Sequence, residues 1–532
     1  QNLSLGTGAV SLPTNVSITS SAGNLTLGGD ITESGGARSL TKLGAGALTL
    51  SGNNAFSGGL NLSTGTLNVG NAGALGTGVL TITGGALDNT SGSSLTNANN
   101  NAQVWNGNFS FTGTSNYDLG TGDVSLGAVA GTTRTITVNA GTLTVGGEIS
   151  NGAVGTGFIK LGSGTLTLSG ASTHTGTTTV NAGALNLTGS LTGNGTTATG
   201  TTLTLGSVAG NAVMNIAGDI SGYYSFTGGN ITGANSAINM TSGTASFTST
   251  SAGDTVNLIN TAASGSYGSL NITGGTMNTV SRMQVSRGSG GGSAYIGGTG
   301  TLNAKGEWFM IAYGNSGAVG SLTIGPGGTM DRTGASNVLG IYMNQANQYA
   351  VFNIVGGTFI STNRAVQFGN GNGGTNNIGF LNLASGTFQT GTNVAQNVGT
   401  STGQFSYINL AGATLKATAT LSGAFPNTVT GQTVVTTMFG PIDNAGTAND
   451  FSGGFKVDSN SFSVTLNNPI VAAADGGVTA ANLTITGGSG YIGAPVVQFT
   501  GGTLSAGGTP ASGYAVVSNG VVTDIVITSL GT

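Results

Sequence analysis

Residues 16–70 of this chain are written a second time. Sliding the sequence by 118 positions lays them, without a gap, on residues 134–188 of a second copy that spans 134–189. Asn24-Leu-Thr-Leu-Gly-Gly-Asp-Ile31 meets Thr142-Leu-Thr-Val-Gly-Gly-Glu-Ile149, and Lys42-Leu-Gly-Ala-Gly-Ala-Leu-Thr-Leu-Ser-Gly52 meets Lys160-Leu-Gly-Ser-Gly-Thr-Leu-Thr-Leu-Ser-Gly170. Self-similarity of this kind marks a repeat architecture. Inside each copy the rhythm is apolar, polar, apolar, then glycine. Leu48-Thr-Leu50, Leu60-Asn-Leu62 and Leu67-Asn-Val69 put every second side chain on one face, which is the period of a strand. Short strands joined by glycine corners, with no helical pattern between them, predict an all-β fold: a long parallel β-helix, or solenoid.

The composition agrees. Charged residues make up 5% of the chain, against roughly 25% in ordinary soluble domains. A hydrophobic content of 37%, laid out in alternation, argues for a packed core and against disorder. The 11 Lys and Arg stand singly and the net charge is −4, so no phosphate-binding footprint exists and nucleic acid is not an expected partner. No apolar run approaches the ~20 residues of a spanning helix. With no cysteine there is neither a disulfide nor a thiolate metal site. Gln1 stands where a start methionine is expected, which reads as a mature chain whose signal peptide has been removed.

Residues 40–70 resemble the autotransporter-associated β-strand repeat. The first copy keeps Lys42, Gly44, Gly46, Leu48, Leu50, Ser51, Gly52, Phe56, Gly58 and Gly59. The second departs from it, with His174 in the aromatic slot and Thr177 for the last glycine. The resemblance implies a right-handed β-helix that is secreted or displayed on a bacterial cell surface. It implies no single activity.

Residues 1–420 read as one solenoid, with the two copies followed by looser coils over 210–415. Within 71–133 the Asn- and Ser-rich stretch Asn89–Asn108, with its lone Trp105, reads as a loop or bulge leaving the stack. The later landmark is apolar-Asn-apolar, at Met214, Ile238, Leu270, Leu302, Phe352, Leu381 and Ile408, with Leu322-Thr-Ile324 as a Thr variant. The spacing suits one coil each, so Asn215, Asn239, Asn271, Asn303, Asn353, Asn382 and Asn409 are expected to stack as an amide ladder. Prolines and clustered aspartates make 421–468 an irregular connecting region, and 469–532 a C-terminal β module. There Leu483–Tyr491 resembles a Gly-Ser-Gly-Tyr repeat of bacterial surface and phage-tail-like proteins, and Asn519-Gly520 signals a hairpin.

Few residues are available for chemistry. His174 is the sole histidine and reads as a satisfied or solvent-facing corner. Asp30, Glu148 and Asp219 share one frame, each after Gly and before Ile, which suits a turn position better than an active site made once. The richest mixture is Arg282, Arg287, Lys305, Glu307, Trp308, Tyr313, Asp331 and Arg332. Glu307 and Asp331 are the pair a polysaccharide hydrolase would need, and Trp308, Tyr313 and Tyr342 would form a stacking platform for a surface glycan. Filling of a wide part of the core by Trp308, Phe309, Met310, Tyr342 and Met343 is the favoured reading over such a platform. No catalytic, cofactor or metal residues are expected.

The expectation is therefore a non-enzymatic extracellular structural protein, a fibre subunit that polymerises head to tail. The alternatives are a glycan-binding adhesin and a polysaccharide-degrading enzyme. In the assembly the strands around Leu3, Leu5, Val10 and Leu12 would complete the unfinished C-terminal module carrying Val522, Ile525 and Ile527 of the next copy.

Overall fold

The computed structural model describes residues 1–195, 201–229, 231–248, 256–258, 265–280, 282–343, 345–369, 374–397, 402–428, 431–444, 450–473, 477–486, 488–504 and 508–532. These form two compact units, Gln1–Thr204 with Ala212–Tyr224, and Leu205–Asn211 with Ser225–Thr532. The interrupted coils over 210–415 and the tail segment Leu483–Tyr491, which contains Gly487, include residues outside the described set. Each unit is a β-solenoid of short strands stacked in parallel register. Among the described residues there is no α-helix, and a 3-10 turn at Ala480–Asn482 is the exception to strand and corner.

In unit 1 the strand alternation converts directly into stacking. Ala47–Leu50 pairs in register with Asn24–Leu27 below and Thr66–Val69 above. Leu25, Leu48, Leu67, Leu87 and Phe111 then fall in one column, one residue per coil. Leu48, Leu67, Leu87 and Phe111 are all fully buried. No single coil could hide its apolar side; each neighbour supplies the missing half.

Corners are set by glycine where a coil passes closely over the one before. Gly65 and its counterpart Gly183 have φ of +72° and +67°. A Cβ on Gly65 would fall 2.2 Å from the Gly44 carbonyl oxygen, and one on Gly183 would fall 2.5 Å from that of Gly162. Only glycine satisfies both demands.

The Asn89–Asn108 stretch corrects the sequence expectation. It is not a loop leaving the stack but part of a coil, with Leu95–Thr96 and Gln103–Trp105 paired in parallel to their neighbours. Trp105 is fully buried, and its Nε1 donates to Gln103 Oε1 at 3.2 Å. The asparagines serve the corners: Asn101 Nδ2 donates to the Gly76 and Gly78 carbonyls, and Asn89 Nδ2 to those of Ser93 and Asn116.

In unit 2 each coil brings longer strands, such as Tyr267–Ile272 over Gly291–Ile296 over Val319–Ile324. The asparagine ladder forms only in part. Asn382 Nδ2 donates to Asn353 Oδ1 and Asn409 Nδ2 to Asn382 Oδ1, both at 2.7 Å, while Asn353 donates to Thr323 Oγ1 at 3.0 Å. Asn239 pairs with Asn271, but the next position in that row is Tyr295, followed by Thr323. Asn303 belongs to a different row, between Asn278 and Asp331. Its apolar-Asn-apolar signature imitates the ladder from the adjacent strand. In unit 1, Asn215 stacks on Asn186 at 2.8 Å.

Parallel pairing runs on past residue 420. Gln432–Met438 lies on Gln404–Leu410, Lys456–Asp458 on Thr414–Ala417, and Ile470–Ala472 on Gln432–Met438. The last residues form an antiparallel hairpin, Ser512–Ser518 with Val521–Ser529, turning at Asn519-Gly520. This hairpin lies against the outer flank of its own solenoid, where Tyr514, Val526 and Ile527 pack with Val355, Ala384, Ala411, Phe439 and Phe451. The ladder is the strip it docks on: Asn382 Nδ2 also donates to Thr528 Oγ1 at 3.1 Å, and Thr509 Oγ1 donates to Asn409 Oδ1 at 3.4 Å.

That docking corrects the unfinished-module expectation, because the strand carrying Val522, Ile525 and Ile527 already has its partner in the same chain. Ile527 is fully buried, and Val522 and Ile525 are half-buried. At the other end, Leu12 is buried and Val10 half-buried, whereas Leu3 and Leu5 are 58% and 57% exposed.

Candidate functional site

The cluster richest in ionisable groups resolves into two ion pairs. Arg282 Nε meets Glu307 Oε2 at 3.0 Å, and Lys305 Nζ meets Asp331 Oδ2 at 2.8 Å. Partial burial pushes Asp331 up, but Lys305 and the hydroxyl and backbone N–H of Thr333 together hold it below the usual carboxylate range. The guanidinium of Arg332 is buried, and donates to the carbonyls of Ala304, Glu307 and Asn337. The three aromatic side chains do not gather into one exposed platform. Trp308 and Tyr313 are half-buried, while Tyr342 is wholly buried, its hydroxyl 3.0 Å from Ser406 Oγ. Asp30 and Glu148 do corner work: Asp30 Oδ1 accepts the Asn53 N–H of the next coil, and Glu148 accepts the Thr173 hydroxyl.

A concave site lies elsewhere in unit 2, at the break in the asparagine ladder. A cavity of about 490 Å³ opens between the outer face of three consecutive coils and the C-terminal segments. Ser269, Ser293 and Ser321 form one row of its wall, a single coil apart, beside the row of Asn271, Tyr295 and Thr323. Tyr491 and Tyr514 belong to the opposite wall. The segment bearing Tyr491 is tied down by hydroxyls: Tyr267 donates to the Ala494 carbonyl, Ser293 donates to the same oxygen at 2.7 Å, and Tyr349 donates to the Val497 carbonyl at 3.4 Å. Gly493 allows the approach, since a Cβ there would fall 2.1 Å from Ser269 Oγ. Among the described residues none lining the cavity carries a charge. Sequence reasoning missed this site. Its one local signal is Tyr295, a tyrosine in the slot of a ladder asparagine.

The most conserved-looking feature between the two copies within this chain is a buried cation at a corner. Lys42 Nζ donates to the carbonyls of Leu43, Gly44 and Thr64 at 2.8, 2.8 and 3.1 Å. Lys160 Nζ donates to those of Leu161, Gly162 and Ala182 at 2.9, 2.9 and 3.0 Å. Two corners, 118 residues apart in sequence, are closed by the same three-armed contact. Residues 40–69 and 158–187 match the passenger-associated-transport-repeat family. Two segments of the chain are thus similar to that passenger repeat. Together with the β-solenoid fold they fit an autotransporter passenger, an extracellular β-solenoid. No curated protein and no solved structure matches the chain. No helix among the described residues is long and apolar enough to cross a membrane.

His174 occupies the aromatic slot of the second passenger repeat, and it is neither solvent-facing nor fully satisfied. The ring is buried, tilted against Phe158 at 5.1 Å between centroids. Its Nε2 lies 2.7 Å from Thr178 Oγ1, which lies 2.8 Å from the Tyr223 hydroxyl. Nδ1 has no partner among the described residues. Burial pushes the imidazole down to about 4, so the folded ring stays neutral. Because that value lies below the ordinary ~6.5, the unfolded chain takes up the proton first as the pH falls. The contribution is intact above about pH 6.5 and disappears progressively down to about pH 4. Relative to His174→Phe, which restores the residue type of Phe56, the parent is expected to lose about 3 kcal/mol over that window. Denaturant melts of both proteins at pH 7 and pH 4 measure it, and an unchanged difference would show the imidazole to be accessible.

Proposed function

We propose that the chain is a structural, non-enzymatic subunit of an extracellular fibre, and that copies join end to end by strand addition. The observation that carries this is the pair of open parallel edges. In unit 1, Leu3–Ser4, Val10–Leu12 and Val16–Thr19 are each paired on one side among the described residues. In unit 2, Lys456–Asp458 and Ile470–Ala472 close the stack in the same way, with Val457 46% and Val471 42% exposed. Unpaired N–H and C=O groups beside exposed apolar side chains are a template for a further strand, and a head-to-tail contact of this kind repeats without closing. The pairing of Glu307 and Asp331 with basic residues supports the non-enzymatic part, since neither stands as a free acid.

Negative-stain microscopy and light scattering test the assembly. The parent is expected to form filaments, and the double change Leu3→Lys, Leu5→Lys to yield monomers, because lysine on an edge strand opposes pairing. A parent that stays monomeric at high concentration, or filaments that survive both charges, would overturn the assembly.

A further inference from the structure

We propose that the cavity at the broken asparagine ladder is a binding site for a neutral saccharide. Its volume, about 490 Å³, is that of a small-molecule site. Among the described residues its lining holds no carboxylate, amine, guanidinium or imidazole, so a phosphorylated or carboxylated ligand would find no partner for its charge in this half-open cavity.

What the walls do offer is serine hydroxyls on the coil side and, on the other, the side chains of Tyr491 and Tyr514. The Ser269, Ser293 and Ser321 side chains recur at the coil spacing, ~4.8 Å apart. Ser293 is engaged with the Ala494 carbonyl, whereas Ser321 Oγ has no partner among the described residues. Tyr514 is 9% exposed and its hydroxyl also has no such partner, nor has that of Tyr295. Tyr295 is half-buried and Tyr514 buried, positions at which a tyrosine hydroxyl normally finds an acceptor or donor. Here they share a cavity with the unengaged Ser321 hydroxyl, while Ser269 Oγ pairs with Ser293 Oγ at 3.4 Å; a polyhydroxylated ligand would satisfy the open groups. Tyr295 is held in place by small neighbours: a Cβ on Gly325 would fall 2.3 Å from its hydroxyl, and one on Gly297 would fall 2.5 Å from its ring. Tyr491, 38% exposed, presents a further ring at the same cavity. A sugar ring matches that division, with C–H faces for the tyrosines and hydroxyls for the serines. An acyl chain would bury the same hydroxyls without partners, which opposes its binding.

The site uses none of the edge strands proposed for assembly, so binding and polymerisation stand or fall separately. The test titrates the full chain with cellobiose, lactose and maltose, followed by calorimetry and saturation-transfer NMR. At least one disaccharide is expected to bind saturably. Tyr491→Ala should weaken it at least tenfold. Tyr514→Phe, which keeps the ring and loses the hydroxyl, should weaken it severalfold, and Trp308→Ala should leave it unchanged. A carboxylated analogue such as cellobionate should not compete. Pull-down on an insoluble polymer of the same sugar distinguishes a polysaccharide surface from a short free ligand, since only the former retains the protein. The proposal is overturned by failure of every neutral disaccharide to bind, by binding that survives both tyrosine changes, or by loss of binding in Trp308→Ala. Saturable uptake of lauric acid in place of sugar, abolished by Tyr491→Ala, would equally overturn it.

Discussion

Leu50→Asp and Leu168→Asp are each expected to destabilise their unit by on the order of 4 kcal/mol or more. Leu50 and Leu168 are buried to within 1% of complete, and each stacks on apolar neighbours: Leu27 and Val69 for Leu50, Val145 and Leu187 for Leu168. An aspartate in either column has no cation or donor within the apolar stack to receive it. It must either carry its charge out of water or be protonated far above its ordinary pKa, and it also leaves part of the leucine volume empty. Changes above about 4 kcal/mol come from a short list of causes, and an unpaired buried charge is one. Thr167→Asp is the control, because Thr167 lies between two inward leucines and faces the other way. It should cost less than about 1 kcal/mol. Equal melting of Leu168→Asp and Thr167→Asp would mean that the inside and outside faces have been exchanged.

The second large effect is expected at the corner cations. Lys160→Met and Lys42→Met should each cost about 2–4 kcal/mol, although methionine fills a similar volume and removes a buried charge. Burial pushes the Lys160 ammonium down to about 8. The three carbonyls act against that, because only the charged form has three N–H donors to give. Replacing lysine by methionine strips all three acceptors at once, in a corner where the glycine-lined approach leaves little room for water. Lys160→Arg is the informative companion, since the charge is kept but the planar fork does not fit three converging carbonyls. Thermal unfolding of the three proteins decides it. If Lys160→Met melts with the parent, the carbonyls find other partners and the repeat lysine is not structural.

Much of this architecture is written locally. The period-two alternation in Leu48-Thr-Leu50 decides which side chains face inward, because successive residues of a strand point to opposite faces whatever the rest of the chain does. The glycines at Gly65 and Gly183 and the lysines at Lys42 and Lys160 decide where a coil turns and how its corner carbonyls are satisfied. All of that is the same in both passenger repeats.

The tertiary structure alone decides where those elements lie around the solenoid. In the first repeat Leu40–Leu43 and Ala47–Leu50 belong to two of the three long sheets. Their counterparts Gly157–Leu161 and Thr165–Leu168 lie one sheet further round, so the same residues occupy different faces. A face is set by the summed length of every preceding coil, and coils of unequal length shift it without altering the local pattern. For the same reason Asn303 imitates the ladder from a neighbouring strand, and the Asn89–Asn108 stretch forms a coil although its composition suggests a loop. The docking of the terminal hairpin lies further still from local reading. Tyr267 and Ala494, 227 residues apart, meet only because coils have stacked to present one flank, and no periodicity along the chain encodes that meeting. The cavity walled by Tyr295, Tyr491 and Tyr514 exists only through that contact.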